Sequence, residues 1–517
     1  MSAPASRTAS SARNVSVSLL AQILVILLGF VTRTVFVATL GVALLGVNSL
    51  IISVLAMLTF ADLGINGAVM YTLYAPLRDG DSSRIAAIVN HAGRMFRRVS
   101  AVVGVLGLAA TPFIHRLVRL EQTVPNLEIY YLVLLANTVA GYLMLNRIVL
   151  LEADQRMYVT KAYSMAFNVV RSIAQIAVLL VFRSFLAYLA IQVIATVANN
   201  LVVYLRAGRL YPSLTAHANP LPGAERRSMW DSVRAMTLYR FAGLILGNSP
   251  AILISVVVGT MALGYYSNYI LIVGAVMMLT ETAFGALTPS VGSFAAAGDR
   301  QAGRRLFDEI VVLSVLIHGA LACGLVALIG DFVLLWLGAE FVLPLEVVAA
   351  IVLNFYVSGS LMPLWSFRSA TGLFRETQYV IVLTAVLSVG LSILLGSAIG
   401  LAGVVVSPAL ARLVTIAWYE PLVLVRRHLA GPVLPHLALQ VGSLALWTAI
   451  AIAVTAAGQL VPGGTITAMA LKTALLAVVV PAAGWLAFRR TDGFRALGVR
   501  VRAFATAARS RGGQVSP

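Results

Sequence analysis

Residues 15 to 40 read VSVSLLAQILVILLGFVTRTVFVATL, a stretch whose one ionisable side chain is Arg33. About 20 apolar residues in a helix cross the roughly 30 Å of hydrocarbon in a bilayer. Arg7 and Arg13 precede the stretch, as in a secretory signal, but no small-residue cleavage site interrupts it. It reads as a first membrane helix.

Thirteen similar runs follow. The expected spans are Val15–Leu40, Val47–Tyr74, Val99–Leu117, Asn126–Leu151, Tyr158–Phe182 and Phe185–Leu205, then Ala235–Val258, Met261–Ser290, Ile310–Trp336, Leu345–Phe367, Tyr379–Ala398 and Gly403–Val425, and finally Leu437–Ala456 and Ile466–Phe488. Of the 517 residues 60% are hydrophobic and 11% charged, less than half the charged share of a soluble domain. The fold class is therefore all-α and polytopic, with about 14 transmembrane helices on a six-plus-six plan and two added C-terminal helices. The corresponding domains are a tail over 1–14, an N-lobe over 15–209, a linker over 210–231, a C-lobe over 232–428, extra helices over 434–488 and a basic tail over 489–517.

The formal charge of +18 comes from 35 Arg, 2 Lys and 19 acids. Basic residues collect in the cytoplasmic loops of membrane proteins, which explains the excess without nucleic acid. With the N-terminus inside, the inner segments hold Arg78, Arg84, Arg94, Arg97, Arg98, Arg156, Lys161, Arg226, Arg227, Arg304, Arg305, Arg426 and Arg427, whereas the outer loops hold Arg116, Arg119 and Arg183. Both termini are expected in the cytoplasm. The stretch from Ile85 to Phe96 has helical apolar spacing and is expected to lie at the inner interface before the third span.

A repeat runs at an offset of 218. It carries Gly41, Leu45, Gly46, Ser49 and Gly67 onto Gly259, Leu263, Gly264, Ser267 and Gly285, and Gly80-Asp81 onto Gly298-Asp299. An even number of spans per half keeps the repeats parallel. The linker, with Pro212, Pro220, Pro222 and Gly223, reads as a tether between halves.

Nothing in the sequence points to catalysis or to a bound cofactor. There is no phosphate-binding G-x-x-x-x-G-K-[ST] loop and no zinc-like spacing, and Cys323 is the single cysteine. Asp79-Gly80-Asp81 fits a D-x-D metal motif, but its short Gly-containing setting favours a solvated turn.

Charges within spans are costly in lipid and mark protein interiors or aqueous cavities. Arg33, Arg171 and Arg412 lie deep in theirs; Arg147 and Arg240 lie near inner ends and either snorkel or line a cavity. Asp62 and Glu281 are the intramembrane acids, and Asp62 is also a structural partner for Arg171. A cavity lined by these arginines would bind phosphate through guanidinium forks. Asn48, Asn66, Asn168, Asn268 and Tyr266 are candidates for sugar hydroxyls or for helix–helix bonds. Lys472 is expected at the headgroup interface, and His318 as a satisfied interior histidine.

The order of short strings then becomes informative: Leu45-Gly46-Val47-Asn48, Asp62-Leu63-Gly64-Ile65, Tyr71-Thr72-Leu73-Tyr74, Gly264-Tyr265-Tyr266-Ser267-Asn268-Tyr269, Leu335-Trp336-Leu337-Gly338 and Leu353-Asn354-Phe355-Tyr356. From about Arg13 to His428 the chain resembles the polysaccharide-repeat (Wzx-like) flippases of the MATE/MOP exporter superfamily. That resemblance implies two six-helix lobes in a V around a central cavity, and transport of polyprenyl-diphosphate-linked oligosaccharide for O-antigen, capsule or exopolysaccharide. It also implies H+ or Na+ coupling, which falls on Asp62 and Glu281, and headgroup contacts from the helix arginines. A polysaccharide polymerase or export machinery would be the protein partner. A lipid II flippase and a multidrug antiporter of the same superfold are the alternatives; a polymerase or ligase would need a large outer loop.

Overall fold

The structure is a computed structural model describing residues 7–59, 64–117, 124–215, 221–285, 287, 291–292, 299–459 and 464–500. Among these residues there is no strand. By length and apolar composition 11 helices can cross a membrane, or 12 if Leu127–Tyr142 and Leu145–Ala153, bent by 46°, make one span. Three of the 11 are longer than one crossing needs; Arg300–Leu337, with 38 residues, is continuous, and the other two are broken within. Gln22–Leu58 has 37 residues and Glu376–His428 has 53; at 1.5 Å per residue they would reach about 55 and 80 Å, against about 30 Å of hydrocarbon. Non-helical backbone divides each of them, at Gly41 (φ 81°, ψ 170°) and at Ile399 and Gly400 (φ 63°, ψ −138°). Counted that way there are 14 spans, as expected.

The details depart from the sequence reading where backbone geometry overrides apolar periodicity. Within the second expected span, the helix Ile65–Asp79 begins behind Gly64, whose φ of 123° no helix can contain. The fourth span breaks at Met144 (φ −120°, ψ 6°). The helix Gly223–Leu253 begins inside the expected linker, with Pro222 as its N-cap. The expected interfacial segment forms the first turns of a continuous helix, Ser82–Ala110. Asp79-Gly80-Asp81, by contrast, is the turn expected of it: Gly80 sits at φ 69°, the exposed Asp79 pairs with Arg78, and the Asp81 carboxylate accepts from Arg84 N.

The chain folds as two compact units, Met1–Ser267 and Asn268–Pro517, their boundary falling within the helix Thr260–Gly285. In the first unit, the repeat-related glycines pack on each other. A Cβ on Gly46 would lie 2.0 Å from Thr260 O, and one on Gly264 2.3 Å from Val42 O. Bare backbone permits this close crossing, as small residues do wherever membrane helices meet. Gly41 and Gly259 both take positive φ immediately before the crossing segments. Asp81 and Asp299, also related by the repeat, each cap the helix that follows. The offset of 218 thus corresponds to repeated structural roles.

In the second unit, the last two spans are fastened to the helix Arg300–Leu337. Trp447 covers Gly319, where a Cβ would come 2.1 Å from the indole nitrogen. Lys472, expected at the headgroup interface, is buried (7% exposed) and ion-paired with Asp331 at 2.7 Å. Past the final span, Gly493 lies against Asp308 O, and Arg500 pairs with Glu309 at 3.0 Å. Arg300 Nη2 donates to Val425 O, Arg426 O and Leu429 O, closing the carbonyl end of the helix Ile416–His428. Replacing Lys472 with Met should strand the Asp331 carboxylate and cost roughly 2 kcal/mol, the scale of a charge-assisted hydrogen bond. Thermal melts of the purified protein in detergent would read this, and an unchanged melt would remove the pair from the stabilising contacts.

Candidate substrate-binding site

The site in the first unit grows from an aromatic junction. The helices Met157–Phe182 and Phe185–Leu210 form a hairpin turned by Arg183 (φ 47°) and by Ser184, whose hydroxyl accepts from Ala187 N. Phe36 of the first span, 2% exposed, inserts edge-on against Phe185 (5.7 Å between centroids) and Tyr188 (5.1 Å). Tyr130 meets Phe185 at 4.7 Å. Such ring pairs give defined orientation as well as burial.

Arg33 lies three residues before Phe36, one turn away on the same face. Its Nη1 donates to Ser267 Oγ at 3.0 Å, and Ser267 Oγ donates to Gly264 O at 2.8 Å. Arg171, half-buried on the facing hairpin, keeps its Nε buried without a hydrogen-bond partner. Both guanidinium groups are close enough to act electrostatically on the Tyr188 hydroxyl. Among the described residues no carboxylate pairs with either. Two permanent cations therefore share one phenol within an apolar bundle, an arrangement able to hold an anion.

The other expected residues do not join this cluster. Arg147 Nη1 donates to Tyr204 O at 3.2 Å, and its guanidinium lies 3.7 Å above the Tyr204 ring, in a slot left open by Gly208. Arg240 is exposed, with Nη2 3.5 Å from where a Cβ of Gly67 would be. Asp62 lies outside the described residues. Arg412 and Glu281 belong to the second unit. Arg412 Nη1 donates to Asn354 Oδ1 at 2.6 Å, and Glu281 is exposed. That unit has open clefts of about 470 Å³, against Cys323, Tyr356 and Trp447, and about 660 Å³, between Arg304, Asp308, His436 and Thr491. Neither is lined by Arg412 or Glu281. His318 is fully buried between Phe284 and Phe355, its Nδ1 bonded to Ser314 O at 2.9 Å and its Nε2 unpartnered.

Sequence reasoning missed Tyr188, Ser267 and Asn354 as partners of the arginines. The spacing of Phe36 from Arg33 is the one signal that could have pointed to an aromatic wall beside that charge. It also missed the buried pair of Arg368 and Glu420, 6% and 4% exposed and 2.5 Å apart.

An apolar bundle of about 14 helices with guanidinium groups set within it is the build of a multi-pass membrane protein. The chain belongs to the polysaccharide biosynthesis protein family, whose model matches residues 11–294. Its fold is similar to that of the lipid II flippase MurJ in an inward closed conformation, at TM-score 0.64 and 11% identity over 91% of this chain and 98% of that one. It is also similar to an inward-facing multidrug resistance MATE family transporter of the MOP superfamily, at TM-score 0.56 and 13% identity over 76% and 94%. The MATE multidrug transporter DinF-BH aligns at TM-score 0.53 and 17% identity over 80% and 95%. No curated protein matches the chain. The chain is thus a member of the polysaccharide biosynthesis protein family with a fold like that of MurJ and the MATE transporters.

Proposed function

We propose that this protein is a flippase, without enzymatic activity, that moves polyprenyl-diphosphate-linked oligosaccharide across the bacterial cytoplasmic membrane for surface polysaccharide assembly. The observation that carries this reading is the cluster of Arg33 and Arg171 about Tyr188, cationic and without a carboxylate partner among the described residues, in a chain of the polysaccharide biosynthesis family. A guanidinium keeps its charge at any physiological pH and matches phosphate oxygens in pairs. A pyrophosphate linkage offers such oxygens, whereas a cationic drug would be repelled. The buried Oδ1 atoms of Asn48 and Asn66 lack hydrogen-bond partners and offer acceptors to sugar hydroxyls. Arg147, Arg240 and Arg412 extend the headgroup contacts in this reading, and Asp62 and Glu281 carry coupling to H+ or Na+. Both termini lie in the cytoplasm, and a polymerase or export complex receives the product.

Transport of lipid II is the second reading, favoured by the likeness in fold to MurJ. A deletion strain separates the two. Loss of surface polymer with lipid-linked repeat units accumulating on the cytoplasmic face is the expected result. Normal polymer with lipid II accumulation moves the assignment to the second reading, and normal polymer with altered sensitivity to cationic drugs overturns both. In the complemented strain, the Arg33→Ala/Arg171→Ala protein should lower polymer export at least tenfold, about 1.4 kcal/mol or more, at unchanged protein abundance.

A further inference from the structure

A second group of arginines gathers at the start of the helix Ser82–Ala110. His91, Arg94 and Arg98 follow at spacings of three and four, so they share one face. Arg94 and Arg98 are exposed, while His91 beside them is 7% exposed, with its Nε2 buried and unpartnered. The chain after the sixth span folds back here: Leu214 and Leu221 are buried, and the helix Gly223–Leu253 begins with exposed Arg226 and Arg227. Arg94, Arg98 and Arg226 all come within electrostatic range of the His91 ring. Among the described residues none of the three has a carboxylate partner. Three like charges from two separate helices are thus held around one seam, and none can neutralise by losing its proton.

The same face continues into the apolar part of the helix. Four residues beyond Arg98 comes Val102, 46% exposed, followed by Val105 at 66% and Leu108 at 59%. From Arg98 to Leu108 is about 15 Å along the axis, half the hydrocarbon thickness. One stripe therefore presents guanidinium groups at headgroup depth and open apolar surface over the length of one leaflet. A soluble anion would use the first part only; an anionic phospholipid would use both.

We propose that Arg94, Arg98 and Arg226 form a binding site for the phosphate of an anionic phospholipid, whose acyl chains lie along Val102, Val105 and Leu108. This site is independent of the flippase reading, since it uses none of the residues assigned to transport. Basic groups at this depth attract anionic lipid, and guanidinium forks give the phosphate a defined seat.

Native mass spectrometry of the purified full chain, mixed with phosphatidylglycerol or phosphatidylcholine, tests it. The wild type should retain phosphatidylglycerol at least tenfold over phosphatidylcholine. Arg94→Gln/Arg98→Gln/Arg226→Gln should lose that preference, whereas Arg206→Gln/Arg209→Gln/Arg305→Gln, with the same net charge, should keep it. Equal loss in the two triple variants would mean general surface charge and overturn the site, as would equal retention of both lipids by the wild type. Displacement of the lipid by an equal concentration of inorganic pyrophosphate would make this a soluble-anion site and overturn the lipid assignment. Should the triple variant fail to fold, Arg226→Gln alone, outside the apolar stripe, should reduce the preference about threefold.

Discussion

Removing the Glu420 carboxylate, as in Glu420→Ala, is expected to cost about 3–5 kcal/mol of stability, because the Arg368 charge then stays in the interior without its counter-ion. The two groups meet at 2.5 Å and are almost wholly buried, Arg368 at 6% and Glu420 at 4% exposure. They tie the helix Met362–Thr371 to the helix Ile416–His428, 52 residues later in the chain. Desolvating both charges offsets much of their attraction, so the pair is worth far less than its rupture costs. The Arg368→Met/Glu420→Leu protein should accordingly recover most of the loss. Thermal unfolding in detergent, followed by tryptophan fluorescence, gives both numbers. A single variant that melts with the wild type would show that water reaches the site and that the burial is not maintained in the membrane.

Gly264→Val is expected to be comparably damaging for a different reason. Overpacking costs about 1–3 kcal/mol when neighbouring side chains can give way. Here the obstacle is main chain: a Cβ at this position would stand 2.3 Å from Val42 O, and its repeat mate Gly46 faces Thr260 O at 2.0 Å. The two helices must separate, so the loss should exceed that range and appear as aggregated protein in size-exclusion chromatography. Gly243→Ala, at a helical position with no atom within 4 Å of the new methyl, should leave the profile unchanged and control for helix propensity. A monodisperse Gly264→Val protein would mean that this crossing is not fixed.

The spans were legible because each has to satisfy all its backbone polar groups within itself, leaving a run of apolar side chains in the sequence. The glycine repeat was legible as well, since only glycine serves where backbones touch. Breaks within spans were harder. Met144 departs from helical geometry without a proline or glycine there, so apolar periodicity passed through it, whereas the break at Ile399 and Gly400 falls between the expected spans Tyr379–Ala398 and Gly403–Val425. The pairing of charges was hidden for another reason. Arg368 lies at the end of its apolar run and resembles an interfacial residue; only the fold brings Glu420 to it. For the arginine cluster the sequence supplied the cations but not the aromatic wall of Phe36, Phe185 and Tyr188, which depends on two helices meeting.

The bond between Lys472 and Asp331 also sets a timetable for biogenesis. The partners are 141 residues apart, and at 5–20 residues per second a ribosome needs roughly 7–28 s to make the second after the first. During that interval the nascent ninth span carries an acid that has no base to meet. Until the last helix leaves the translocon, the acid has to be kept hydrated or shielded by an insertion factor. A polypeptide whose synthesis stops before the final helix therefore carries this acid without its base.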